Sequence, residues 1–180
     1  MLFKQLLSVV FLLATVCKPA MAEPTLNVLM DRQREMKEIA AATKTISEMF
    51  KAPETYSSES FKQAARAISD RADQQLVDHY AATTAAEGSD ASDLIASDPD
   101  RFNDLAQDLK TYADKLAEAA DKQPDSMSDE MRMDDREPMG RGPLGTRIRN
   151  KASLSAMSAE HAFHLMLQTC TSCHARFRTK

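Results

Sequence analysis

Near one end of the 180-residue chain stand two thiols and an imidazole in close order: Cys170-Thr171-Ser172-Cys173-His174. On a helix, Cys170 and Cys173 lie one turn apart and share a face, and His174 follows Cys170 by four. That spacing suits one chemistry above others. Each thiol can add to a vinyl group of a porphyrin as a thioether, and the neutral imidazole can reach the iron from the same side. One covalent haem c is therefore the expected cofactor, with Cys170 and Cys173 as attachment points and His174 as axial ligand. Three rivals fit less well. A redox CxxC of the thioredoxin kind opens a helix beside a sheet, where the helix dipole lowers a thiol pKa. Here the pair closes a helical pattern and no strand pattern is evident. A structural zinc site needs four ligands, and His161 and His164 would have to supply the second pair from the same straight helix. A disulfide across one helical turn is geometrically strained.

The elements that must hold these residues read as helices. The chain has only 4 Gly, and Ala, Leu, Lys, Glu, Gln and Met are common, which favours helix over sheet. Four amphipathic segments are predicted. The first runs from Thr25 to Phe50, with Leu26, Leu29, Met36, Ile39, Ala40, Ile46 and Phe50 on its apolar side. The second runs from Glu59 to Ala86, through Phe61, Ala65, Ile68, Ala72, Leu76 and Tyr80. A linker from Gly88 to Ser97 follows, with a short turn at Leu94-Ile95. Asp98 and Pro99 read as a cap and first residue of the third helix, which extends to Lys122 through Phe102, Leu105, Leu109, Tyr112, Leu116 and Ala120. Residues Gln123 to Lys151 hold three of the four Gly and read as a long surface loop. The fourth helix runs from Ser153 to Arg178, with Leu154, Met157, Leu165, Cys173 and Phe177 inward. The fold expected is an all-α, antiparallel four-helix bundle with a long loop before its last helix.

Residues 1–22 read as a signal peptide. Lys4 precedes the apolar run Leu6 to Val16, and Ala20-Met21-Ala22 is a small-x-small cleavage site. The remaining 23–180 would form one domain. Loss of Lys4 and Lys18 takes the net charge from -4 to -6. Such a mildly acidic chain is not expected to bind nucleic acid. No later stretch is apolar enough to span a bilayer. The chain is expected to reside in the periplasm, where a covalent haem protein would meet redox partner proteins.

Two stretches resemble class II c-type cytochromes, the cytochrome c′ family. One is the haem motif with Phe177 and Arg178 after it. The other is Arg32-Gln33-Arg34-Glu35-Met36, which is similar to the Arg-Gln-x-x-(Met or Leu) of that family's first helix. The resemblance implies that Arg32 contacts a haem propionate, that Met36 sits over the open face of the iron, and that Arg178 lies near His174. It also implies a homodimer through the first two helices. The Gln123 to Lys151 stretch is longer than the family's usual link.

Within that family the residue over the iron decides the function. Met gives a six-coordinate, low-spin iron suited to electron transfer; an apolar residue leaves an open site for gases such as NO or CO. Met36 therefore implies a periplasmic electron carrier that turns over no substrate. The alternative is a five-coordinate gas-binding protein, with Met36 as core packing. A third reading drops the haem and keeps a helical interaction protein with a redox CxxC. Met30 is a second candidate thioether near Arg32. His79 reads as exposed or capping, and His161 and His164 as surface or packing. The run Met127, Met131, Met133 has the soft ligands that select Cu(I), but reads better as a Met-rich loop.

Overall fold

A computed structural model describes residues 23–72, 74–81, 88–134 and 151–179. These residues form seven α-helices: α1 (Glu23–Lys51), α2 (Ser58–Ser69), α3 (Gln74–Ala81), α4 (Leu94–Ser97), α5 (Pro99–Lys122), α6 (Lys151–Ala156) and α7 (Ala159–Phe177). Among the described residues the only β pairing is an isolated antiparallel bridge between Ala91 and Arg178.

The helices pack as an up-down-up-down bundle, and side-chain contacts fix the directions. Phe50 at the end of α1 meets Phe61 at the start of α2, with ring centroids 5.4 Å apart. Glu35, much earlier on α1, bonds His79 of α3 at 2.9 Å. The α2–α3 arm therefore runs back along α1. Tyr80 then meets Phe102 at the start of α5, while Ser69 bonds Asp114 further on, so α5 reverses again. Phe102 stacks edge-on with Phe177 at the end of α7, and Lys115 donates to the Ser155 carbonyl at the other end. The last arm is antiparallel to α5.

Two stacked cores fill the bundle. The larger joins Ile39, Ile46, Phe50, Phe61, Ile68, Leu116, Phe163 and Met166 with their neighbours. The smaller holds Leu76, Ile95, Phe102, Leu105, Ala106 and Phe177. All six predicted inward positions of the third segment are buried. On α1 the stripe differs by one register: Ala40 is exposed and Ala42 is buried. The side chain of Leu26 lies outside the described residues.

The predicted second helix is two. It breaks at Asp70–Ala72, where Arg71 turns back to bond the Ala67 carbonyl at 2.9 Å and pairs with Glu38 of α1. The periodicity of apolar residues continues across the break, which is why the sequence pattern did not reveal it. The predicted last helix is also two, α6 and α7, separated at Met157 and Ser158. Ser158 caps α7 by accepting from the His161 backbone N–H at 3.2 Å. The linker expected from Gly88 to Ser97 contains α4 rather than a bare turn. The start of the expected surface loop is tied down: Asp129–Met131 is a 3-10 turn, and Met131 is only 2% exposed in the larger core. That burial removes Met131 from a Cu(I) set. Residues 135–150, including Met139, and residues 1–22, read above as a signal peptide, lie outside the described residues.

Candidate functional site

The bundle closes at one end and parts at the other. Phe50 of α1 touches Phe163 of α7 with centroids 5.4 Å apart. Towards the other end a cavity of about 340 Å³ lies between the same two helices. Leu29, Arg32, Gln33, Met36 and Lys37 of α1 line it on one side, and Cys173, His174 and Phe177 of α7 on the other. Leu76 and Tyr80 of α3, Ile95 of α4 and Phe102 of α5 complete apolar walls. A space of this size, mostly apolar with few polar groups, is what a small ligand or cofactor occupies.

The segment Gly88–Asp98 forms one wall as a strap fastened to the chain's C-terminal tail. Gly88 has φ +82, a left-handed conformation that glycine adopts without strain. Ser92 N–H donates to the Phe177 carbonyl at 2.9 Å, and Thr179 N–H to the Asp90 carbonyl at 2.7 Å. Arg178 pairs with Asp90 at 2.9 Å. Asp98 precedes α5 as expected, but its side chain makes no capping bond; its carboxylate accepts from Arg176 Nε at 2.9 Å instead.

The motif residues sit where α7 meets both cores. Cys170 packs against the larger core and Cys173 against the smaller. Both are free thiols and half-buried. Burial pushes the Cys170 thiol up, and burial together with Cys170 pushes Cys173 up to about 12, against the pull of Arg101. Neither is the activated thiolate of a redox CxxC. His174 lines the cavity while staying exposed. Burial, then the nearby Arg178 charge, holds its imidazole below the usual histidine range, which favours the neutral form that can bind a metal.

Across the cavity, Arg32 is 2% exposed. Its Nε donates to the His79 carbonyl at 2.7 Å, and Nη2 reaches the same oxygen. Its guanidinium lies 4.6 Å from the centre of the Tyr80 ring. Nη1 has no hydrogen-bond partner, and no ion pair to Arg32 occurs among the described residues. Buried charges are normally paired. A buried cation with a spare donor on a cavity wall fits an acidic group of whatever fills the cavity. Haem meets that test: its ring suits the apolar walls and its propionates suit Arg32. Met36 is half-buried, lines the cavity and packs against both cores. Met30, the other candidate thioether, is 50% exposed and does not line the cavity.

The structure thus brings together Cys173, His174, Arg178, Arg32 and Met36 around one cavity, with Cys170 one turn away. His79 is neither free nor a cap. It is half-buried, and its ring bonds Glu35. His161 is buried at 4% exposure, and His164 is half-buried. Sequence reasoning missed Tyr80 and Glu35 as site residues. On the sequence, Tyr80 reads only as a core position of the second predicted helix. Glu35 is a charged residue on a stripe that becomes buried, a signal that was available.

An apolar cavity at one end of an antiparallel helical bundle, with a CxxCH on its wall, defines a haem-binding four-helix bundle. The family model described as Cytochrome C′ matches residues 27–134, and the chain belongs to the cytochrome c′ family, whose members bind one covalently attached haem c. That match ends before Cys170, so the first three arms of the bundle carry it independently of the haem motif. The fold is also similar to two solved structures. Cytochrome c′ from Thermochromatium tepidum superposes with a TM-score of 0.60 at 17% identity, covering 87% of this chain and 97% of that one. An engineered variant of Rhodopseudomonas palustris cytochrome c′ gives 0.57 at 23% identity, covering 86% and 98%. Among curated proteins, none matches the sequence.

Proposed function

We propose that this protein is a monohaem electron carrier, with haem c bound through Cys170 and Cys173 and ligated by His174 and Met36. The observation that carries the reading is a cavity lined by His174 and Cys173 on one side and by Arg32 and Met36 on the other. When bound, the haem supplies an iron that cycles between Fe(II) and Fe(III). The chain's residues do the rest. Leu29, Leu76, Ile95, Phe102 and Phe177 exclude water from the ring. Arg32 holds a propionate through Nη1. Burial, and after it the Arg178 charge, holds the His174 imidazole below the usual histidine range, which favours the neutral form that can ligate iron. Met36 supplies a soft thioether, which favours Fe(II) and raises the potential. The signal-like start of the sequence supports export to the periplasm, where the partners would be redox proteins. A homodimer through the first two arms, α1 and α2–α3, accompanies this reading.

A second reading, gas binding, is the better fit to the cytochrome c′ family and turns on Met36 itself. It packs against both cores, as a purely structural methionine does. If packing is its whole role, the sixth position stays open and the cavity admits NO or CO. The visible spectrum of exported protein separates the two. A sharp low-spin α band without CO binding is expected for the carrier; a broad high-spin spectrum that shifts with CO would replace it with gas binding. Met36→Ala is expected to lower the reduction potential and open the site to CO, and an unchanged spectrum would remove Met36 from the ligand set. A colourless protein, made with competent haem-attachment machinery, would overturn the haem reading.

A further inference from the structure

Arg32 and Glu35 are three apart on α1, a spacing at which Arg and Glu ordinarily pair. Both are buried, at 2% and 7% exposure, where an ion pair would be little screened. Yet no ion pair joins them among the described residues. α3 intervenes. Gln75 Nε2 donates to Glu35 Oε1 at 3.1 Å, and His79 Nδ1 meets Oε2 at 2.9 Å. An ionised carboxylate only accepts, so the Nδ1 of His79 carries the proton in this bond. The carbonyl of His79 takes two donors of Arg32 and leaves Nη1 spare. The other acids nearby on α1 are also engaged elsewhere: Asp31 by Arg34, and Glu38 by Arg71.

We infer that Gln75 and His79 are positioning residues that hold the Glu35 carboxylate away from Arg32, so that the guanidinium stays free to pair with a carboxylate of the cofactor. Gln75 and His79 are themselves four apart, on one face of α3, and between them they occupy both oxygens of Glu35. Without them, Glu35 would be a buried carboxylate with no partner except Arg32, one helical turn away. The guanidinium would then be neutralised from within the chain. The inference rests on the haem reading above and adds residues that touch neither the ring nor the iron.

The test is a redox titration of the holoprotein, followed in the visible spectrum. In the double variant Gln75→Leu/His79→Leu, Glu35 pairs with Arg32 and a propionate loses its counter-charge. The propionate charge, no longer countered by Arg32, favours the ferric state, so the potential falls below that of the wild type. Adding Glu35→Gln to that variant releases Arg32, and the potential returns to that of Glu35→Gln alone. A purely structural role in docking α3 would lower thermal stability in both variants and would not be reversed by Glu35→Gln. His79→Gln keeps a donor for Glu35 and should retain the wild-type potential. Should the double variant fail to fold, His79→Leu against His79→Gln makes the same comparison with Gln75 in place. An unmoved potential, or a fall that Glu35→Gln does not reverse, overturns the inference alone. A colourless wild type overturns the haem reading and the inference with it.

Discussion

Cys173 shows how environment sets the chemistry of a single residue. Its thiol is pushed up to about 12 because a thiolate would lose water at the core boundary and lie near Cys170. Thiolate is the reactive form, so in folded apoprotein this residue should alkylate far more slowly at pH 8 than a free cysteine. Mass-spectrometric counting of modified thiols would check this, with unfolded protein as the fast reference. The same shift bears on stability. In the unfolded chain the thiol ionises from its ordinary value of 9.0, while the fold keeps it protonated to about 12. The folded state holds the extra proton in that window, so apoprotein stability should fall as pH rises through it. Denaturant midpoints measured across the alkaline range would show the trend, and a flat profile would contradict the burial argument. With the proposed attachment, Cys170→Ala or Cys173→Ala would lose one thioether. A haem-stained denaturing gel should then show weaker attachment, and none with both replaced.

At the scale of the helix, packing and capping separate cleanly. Phe61 is fully buried between the α1 and α2 ends, against Phe50 and Tyr56. Phe61→Ala should destabilise the bundle by about 3–5 kcal/mol, from lost burial and the cavity left behind. Chemical denaturation of apoprotein and holoprotein would measure it. Ser158 caps α7, the helix that carries the haem motif. Ser158→Ala should cost about 1 kcal/mol, since it frees one helix-end N–H. That residue also marks the break between α6 and α7. Apolar periodicity runs through both helix breaks of the bundle, because buried residues on either side still turn inward. Asp70–Ala72 and Met157–Ser158 therefore became visible only when neighbouring helices were in place.

Across the whole molecule, the cavity exists because α1 and α7 meet at Phe50 and Phe163 and part towards Arg32 and His174. The strap from Gly88 to Asp98 and the tail from Phe177 to Thr179 then close one wall. The Asp90–Arg178 pair in that wall is exposed on both sides, with side chains 65% and 59% accessible. Asp90→Asn should therefore change global stability by less than about 1 kcal/mol, and the difference should shrink in high salt. Thermal melts at two ionic strengths would test it. A larger, salt-independent loss would mean that the strap is held by more than this surface pair and its backbone bonds.

What the sequence determined on its own was local. Cys170, Cys173 and His174 read as an attachment site because their spacing is set by one helical turn. Four amphipathic arms follow from apolar residues at three- and four-residue steps, and Asp98-Pro99 marks where α5 begins. Tertiary structure decided what depends on distant neighbours. His79 looked like an exposed residue near a helix end, yet it joins Glu35 and Arg32 because α3 lies against α1. Met131 looked like part of a loose Met-rich loop, yet it fills the core. Periodicity records which face of a helix turns inward, but only the packed bundle fixes which charges are brought together there and which one is left without a partner.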